Sequence, residues 1–413
     1  MLFITMLVSL TGLVLSKNFR FGSFNPFTIY FGMWTIFFAT FSVFQNIYTS
    51  ISTEYLLAHC CAQLLSIFIM LASKATDRRP KHANNIYRYK LHHPTLNILQ
   101  LILILSMPII YQKSTTFAGG ESVFSIIGYI NLRRSFNEDG MNMGVLKYLY
   151  PLSFLNCAVT IFFASRKEVS KKRGGIAVLI ALFYAYLATG RTFFLMIFAF
   201  SIPPLAITGK IKGKSLIILG GILMAFFFLV ASMTAKGTSM DASIIENIFG
   251  FIDSFQSYIV APFVALYMLL EKVTTYTGGD NTFRFLFSIL SSLGLAAPPV
   301  PLIKGYEYTP IATNLYTVYE VYARDFSLAG FFIPPFFLFI HWWLYKKAKL
   351  GNTLFIFLYA ASVYPLVTQL LQDQYVTLFS TWIQITFWCA VLIRRTRKIE
   401  VNYDNIQHER LLP

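Results

Sequence analysis

The chain has 413 residues, 56% hydrophobic and only 13% charged, where a soluble domain carries roughly 25% charge. A net charge of +16 would suit a nucleic-acid binder, but lysine and arginine fall in short clusters between long apolar runs, so nucleic acid is excluded and a polytopic membrane protein is expected. There is no Walker loop, dinucleotide fingerprint or HExxH sequence, so no cofactor and no metal is expected.

With a rise of about 1.5 Å per residue, roughly 20 apolar residues cross the hydrocarbon core. Such runs lie near 1–16, 27–47, 54–73, 96–117, 146–165, 175–190, 192–209, 215–234, 251–270, 284–298, 327–345, 353–371 and 375–393. They predict an all-α, polytopic integral membrane protein of about 11–13 transmembrane helices, with one transmembrane domain over 1–398 and a short cytoplasmic tail over 399–413. The first run lacks a small-residue cleavage site and reads as a membrane helix, not a removed signal peptide. Cys60, Cys61, Cys157 and Cys389 all sit inside apolar runs without metal spacing and read as small buried hydrophobes.

Basic residues set the orientation. They collect at 74–93, 166–173, Lys210/Lys212/Lys214, Lys346/Lys347/Lys349 and Arg394/Arg395/Arg397/Lys398, all expected on the cytoplasmic side. The connections 118–145, 189–192, 235–250, 299–326 and 372–374 then face outward.

In 118–145, Val123, Ile126, Ile127 and Ile130 repeat at three and four, which predicts a short amphipathic helix in the membrane interface. Arg133 and Arg134 at its end either anchor it to headgroups or face a ligand. In ATGRT (188–192), Arg191 sits alone between two apolar runs. An arginine at membrane depth is costly and marks a functional candidate, with snorkelling as the plainer alternative. Pro262 is expected to kink or break the run 251–270, which places Asp253, Glu271, Asp280 and Arg284 among lesser candidates.

The large outward loop near 299–326 combines Lys304, Asn314, Tyr316, Tyr319, Glu320, Arg324 and Asp325. Recurrence at three and four predicts a short helix presenting tyrosines and carboxylates on one face, a chemistry suited to sugar rings, although single tyrosines also form interfacial belts. None of the six histidines falls in an outward loop, and His92–His93 reads as a solvated pair.

The lone-arginine turn ATGRT, the run SYIVAPFVALYMLLE (257–271) and TNLYTVYEVYARDFSLAG (313–330) resemble the oligosaccharide repeat-unit polymerases, the Wzy-type O-antigen polymerases. The resemblance covers most of the chain as topology and these segments as motif. It implies a GT-C-like membrane glycosyltransferase in the bacterial inner membrane, with its active site facing the periplasm. It implies metal-independent, inverting transfer between undecaprenyl-diphosphate-linked oligosaccharides. The partners implied are those lipid-linked substrates, membrane lipids, a chain-length regulator and a flippase.

Under that resemblance Arg191, with Arg133, Arg134, Arg284 or Arg324, would stabilise the departing diphosphate. Asn314, Tyr316 and Tyr319 would hold sugar, and Asp325 or Glu320 would supply a base. An O-antigen ligase would call for a histidine in the long outward loop, and a flippase for two halves related by an internal repeat; neither is found.

Overall fold

The computed structural model describes residues 1–413 except 20, 23, 77–85, 139–142, 212–213, 216–217, 223–243, 302–303 and 400–413, and describes only the backbone of 86–88, 136–138, 191, 244–257 and 395–399. Expectations for the 235–243 part of an outward connection, for the span 215–234 beyond residue 222, for the side chain of Asp253 and for the tail beyond Ile399 lie outside the described residues.

The described chain is predominantly helical. It forms α1 (Leu2–Asn18), α2 (Pro26–Phe44), α3 (Thr53–Ala75), α4 (His93–Phe117), α5 (Ile126–Glu138), α6 (Leu149–Ser165), α7 (Lys171–Leu187) and α8 (Arg191–Ile207). These are followed by α9 (Ile244–Lys272), α10 (Arg284–Ser292), α11 (Glu320–Phe326), α12 (Ile333–Lys349), α13 (Thr353–Thr368) and α14 (Phe379–Leu392). Local chemistry starts several of them. Asn25, Ser52, Ser170 and Asn352 accept from the backbone N–H three residues on, and Pro26 occupies the first turn of α2, where its missing N–H costs nothing.

Among the described residues, five helical stretches are long and apolar enough to cross a membrane: Pro26–Ile47, Thr53–Ala75, His93–Phe117, Gly144–Ser165 and Glu320–Lys349. Leu2–Asn18, Thr192–Ile207, Thr353–Thr368 and Phe379–Leu392 are apolar but shorter. The packing supports a lipid environment. In α1 the buried positions are Thr5, Ser9, Gly12 and Ser16, while Phe3, Leu7, Leu10 and Val14 face out. A helix in water would be turned the other way; small residues inside and apolar ones outside are what a bilayer favours. Gly12 makes the α1–α2 contact, since a Cβ there would stand 2.5 Å from the Phe31 ring. Helix α4 is apolar on both sides: it buries Leu96, Leu99, Leu103 and Ile110 together with Gln100, Ser106 and Ser114, and still exposes Ile98, Leu101, Leu105 and Ile109.

Described members of four of the basic clusters lie at one end of the bundle. Strand β1 (Ile86–Leu91) pairs antiparallel with β4 (Ile393–Ile399), setting Lys90 opposite Arg394. Lys346 Nζ donates to Thr76 O at 3.1 Å, and Lys349 Nζ to Phe21 O at 3.1 Å. Arg173 reaches Asn97 Oδ1 and Gln100 Oε1 on α4, each at 2.7 Å. The connections expected to face outward meet at the opposite helix ends: Tyr186 OH donates to Val123 O at 2.8 Å, Gln384 Nε2 to Tyr148 O at 2.9 Å, and Val318 N to Gln369 O at 2.8 Å.

Three expectations need correction. Residues 284–298 do not form a span: α10 has nine residues, about 13 Å of helix against a core of roughly 30 Å. Helix α9 runs through Pro262 without a break. The tyrosines and carboxylates of 316–325 do not share one helix face, because α11 begins only at Glu320 and Tyr319 and Tyr322 turn into the core.

Candidate functional site

Two constellations occupy the end of the bundle away from the basic clusters. The first is the turn between α7 and α8. Thr189 has φ 55°, a left-handed conformation that a β-branched residue adopts only under strain. Arg133, from α5, donates from Nη1 to Thr189 O at 3.0 Å, so the amphipathic helix and the lone-arginine turn come together. Arg191 is the first residue of α8, next to Gly190 at the N-cap; its side chain lies outside the described residues. Arg134, one residue along α5, is solvent-exposed, which fits a headgroup anchor better than a site residue.

The second is larger and centres on α11. The loop before it forms a hairpin, β2 (Glu307–Tyr308) against β3 (Ala312–Thr313), tied to the end of α9 by an ion pair between Lys272 and Glu307. Helix α11 is clamped on two sides. On one side Asp325, buried, accepts from the Thr277 hydroxyl, from Asn281 N and Nδ2 at 3.2 and 2.9 Å, and from Thr282 N at 2.7 Å. On the other, Tyr322 OH donates to Asp373 Oδ1 at 3.0 Å, and Asp373 caps the backbone N–H groups of Tyr375, Val376 and Thr377. Ser327, with φ 57°, ends α11, and Gly330 lets the following turn fold back, since a Cβ there would lie 2.3 Å from Tyr322 O.

Between the clamps lies a half-buried cationic cluster. Arg324 Nε donates to Glu320 Oε1, and Lys304 Nζ stands 3.7 Å from the same oxygen. Lys304 also donates to Asn281 Oδ1 at 2.9 Å. Burial draws the Lys304 ammonium below the usual lysine range; Arg324 and Arg284 reinforce that shift, while Glu320 and, to a smaller extent, Asp325 oppose it. The Arg324 guanidinium lies over the Tyr316 ring, 5.7 Å from its centroid. Tyr316 donates its hydroxyl to Gly305 O at 2.8 Å, and burial followed by the Glu307 carboxylate pushes that hydroxyl up to about 12. Arg284 Nε donates to Val300 O at 2.6 Å.

Of the residues expected at the site, Glu320, Arg324, Tyr316 and Arg284 are therefore brought together; Asn314 is half-buried and makes no hydrogen bond to them among the described residues. Tyr319 is not among them. It is fully buried, stacked on Phe331 at 4.7 Å and paired through its hydroxyl with Tyr30 at 3.3 Å, so it cannot present a face to sugar. Asp325 is present but saturated by donors, which makes it a clasp for α11 and a poor base. Glu271 accepts from Tyr267, and Asp280 makes no hydrogen bond among the described residues.

Sequence reasoning missed the roles of Lys304, Asn281 and Asp373. The only local signal was the turn composition of GGDNT (278–282), which suits side-chain capping of a neighbouring segment. No group of three or more His, Cys, Asp or Glu suited to a metal occurs among the described residues. Compared with protein-family models, curated proteins and solved structures, the chain matches none.

Proposed function

We propose that this membrane protein is a glycosyltransferase that polymerises oligosaccharide repeats carried on undecaprenyl diphosphate into O-antigen or a related surface polysaccharide. The observation that carries the reading is the cationic cluster of Lys304, Arg324 and Arg284 around Glu320, at the end of a lipid-facing bundle opposite the basic clusters. By the positive-inside bias that end faces the periplasm.

A glycosyl diphosphate brings its own leaving group, so the protein needs no nucleotide site. The acceptor hydroxyl oxygen attacks the anomeric carbon as that carbon's bond to the oxygen of the distal, sugar-bearing phosphate breaks, and the diphosphate departs on its lipid with the electron pair. The cations of the two constellations oppose the charge that develops there. Glu320 is the better base of the two carboxylates. Both of its cationic neighbours use Oε1, and Oε2 makes no hydrogen bond among the described residues. It takes the acceptor proton as the new bond forms.

The test is the surface polysaccharide of a deletion strain beside the complemented strain on a gel. Loss of the ladder with a single repeat left on the lipid core is the expected result. A bare core with accumulated lipid-linked sugar would overturn the proposal in favour of a ligase or a flippase, and the membrane face holding that sugar would tell which.

A further inference from the structure

Asn281 holds two charged groups at once. Its backbone N–H and Nδ2 donate to Asp325 Oδ1, while its own Oδ1 accepts from Lys304 Nζ at 2.9 Å. The chain of contacts continues from Lys304 to Glu320 Oε1 and from there to Arg324. One carboxylate oxygen thus serves two cations, and the other nearby carboxylate, Asp325, is already saturated by neutral donors. Arg284 adds a third cation whose only hydrogen bond among the described residues goes to a neutral carbonyl.

This excess positive charge is not solvated as a surface patch would be. The side chains of Lys304 and Arg324 are only 15% and 23% exposed. Half-buried cations in excess are unfavourable until an anion joins them. The donors for one are in place. Arg324 uses only Nε, so both Nη groups make no hydrogen bond among the described residues, and Lys304 has ammonium hydrogens beyond the one on Asn281. A planar fork beside a point charge matches the geometry of a phosphate. Tyr316 beneath the guanidinium, with its hydroxyl fixed on Gly305, limits how that fork can swing.

We propose that Lys304 and Arg324 form a phosphate-ester site and that Asn281 is the residue that positions Lys304 in it. The identity of the ester as a lipid-linked diphosphate rests on the proposed glycosyl transfer; the site itself does not. A phospholipid headgroup carries the same chemistry.

The test uses the purified full-length protein in dodecyl maltoside, a detergent that carries no phosphate, with acetylation of Lys304 followed by mass spectrometry. Inorganic pyrophosphate should slow acetylation of Lys304 several-fold and leave exposed Lys171 unchanged. Arg324→Lys should raise the pyrophosphate concentration needed for half protection by about tenfold, because charge without the fork remains. Asn281→Leu should do the same and also move the pH midpoint of Lys304 reactivity down, since the neutral oxygen that favours the ammonium is gone. An unmoved midpoint would reduce Asn281 to a structural role and overturn that part. Equal acetylation with and without pyrophosphate in the wild type would sink the site itself. Protection already present in phosphatidylglycerol nanodiscs, without pyrophosphate, would assign the site to a headgroup. Protection of Lys304 together with an intact ladder in the deletion strain would keep the site and refute glycosyl transfer; the reverse pair would do the opposite.

Discussion

Arg191 is the first residue of α8, and a helix N-terminus carries about half a positive charge, so an anion is favoured there. Arg191→Ala is therefore expected to abolish the polymer ladder without affecting membrane insertion, and Arg191→Lys to weaken it by about tenfold or more because a point charge lacks the fork. A near-normal ladder from the lysine variant would mean that charge alone is required. Asp373 offers a pH test. Burial pushes its carboxyl up to about 6, against hydrogen bonds from Thr377, Tyr322 and Tyr375 that act to lower it. A folded-state value above the unfolded one means that the folded protein holds this proton more tightly. Its contribution to stability is complete below about pH 4 and is lost as pH rises through about 6. The melting temperature of Asp373→Asn relative to wild type should therefore rise between pH 4 and pH 7; a constant offset would exclude Asp373 as the titrating group.

Among the elements, α11 shows most clearly how little seven residues can do unaided. It is too short to be stable as an isolated helix. It is held by the Asp325 clasp on one side, the Tyr322–Asp373 contact on the other, and Val318 N on Gln369 O before it. Asp325→Ala leaves the donors of Thr277, Asn281 and Thr282 without their acceptor. Buried donors left so cost about 1–3 kcal/mol each. That variant should melt at lower temperature and lose the ladder, whereas Tyr308→Phe, on an exposed hairpin position, should do neither. A ladder kept by Asp325→Ala would detach α11 from the activity. The position of this element was legible in its aromatic and charged composition. Its inward face was not, because recurrence at three and four marks a stripe without saying which side of it the bundle covers.

For the whole molecule, the contacts at the two bundle ends make the sidedness testable. On the proposed orientation, cysteines introduced as Tyr308→Cys and Glu121→Cys should react in intact cells with a membrane-impermeant thiol reagent from outside. Lys171→Cys should react only after permeabilisation; all three positions are exposed. Labelling of Lys171→Cys from outside would invert the topology and move both constellations to the cytoplasm.

Membrane character, the two chemically distinct ends and the segments that carry polar chemistry were all determined by the sequence alone. These properties add up along short stretches of chain: apolar runs favour lipid wherever they occur, and lysine clusters mark an end without needing a partner. Tertiary structure decided which polar residues meet. Lys304 and Asn281 are 23 positions apart, and Tyr322 and Asp373 are 51 apart. No local pattern couples such pairs, because each contact exists only once helices have packed. The same packing sent Tyr319 into the core and turned Asp325 from a free carboxylate into a clasp, since a buried charge persists only where donors converge on it.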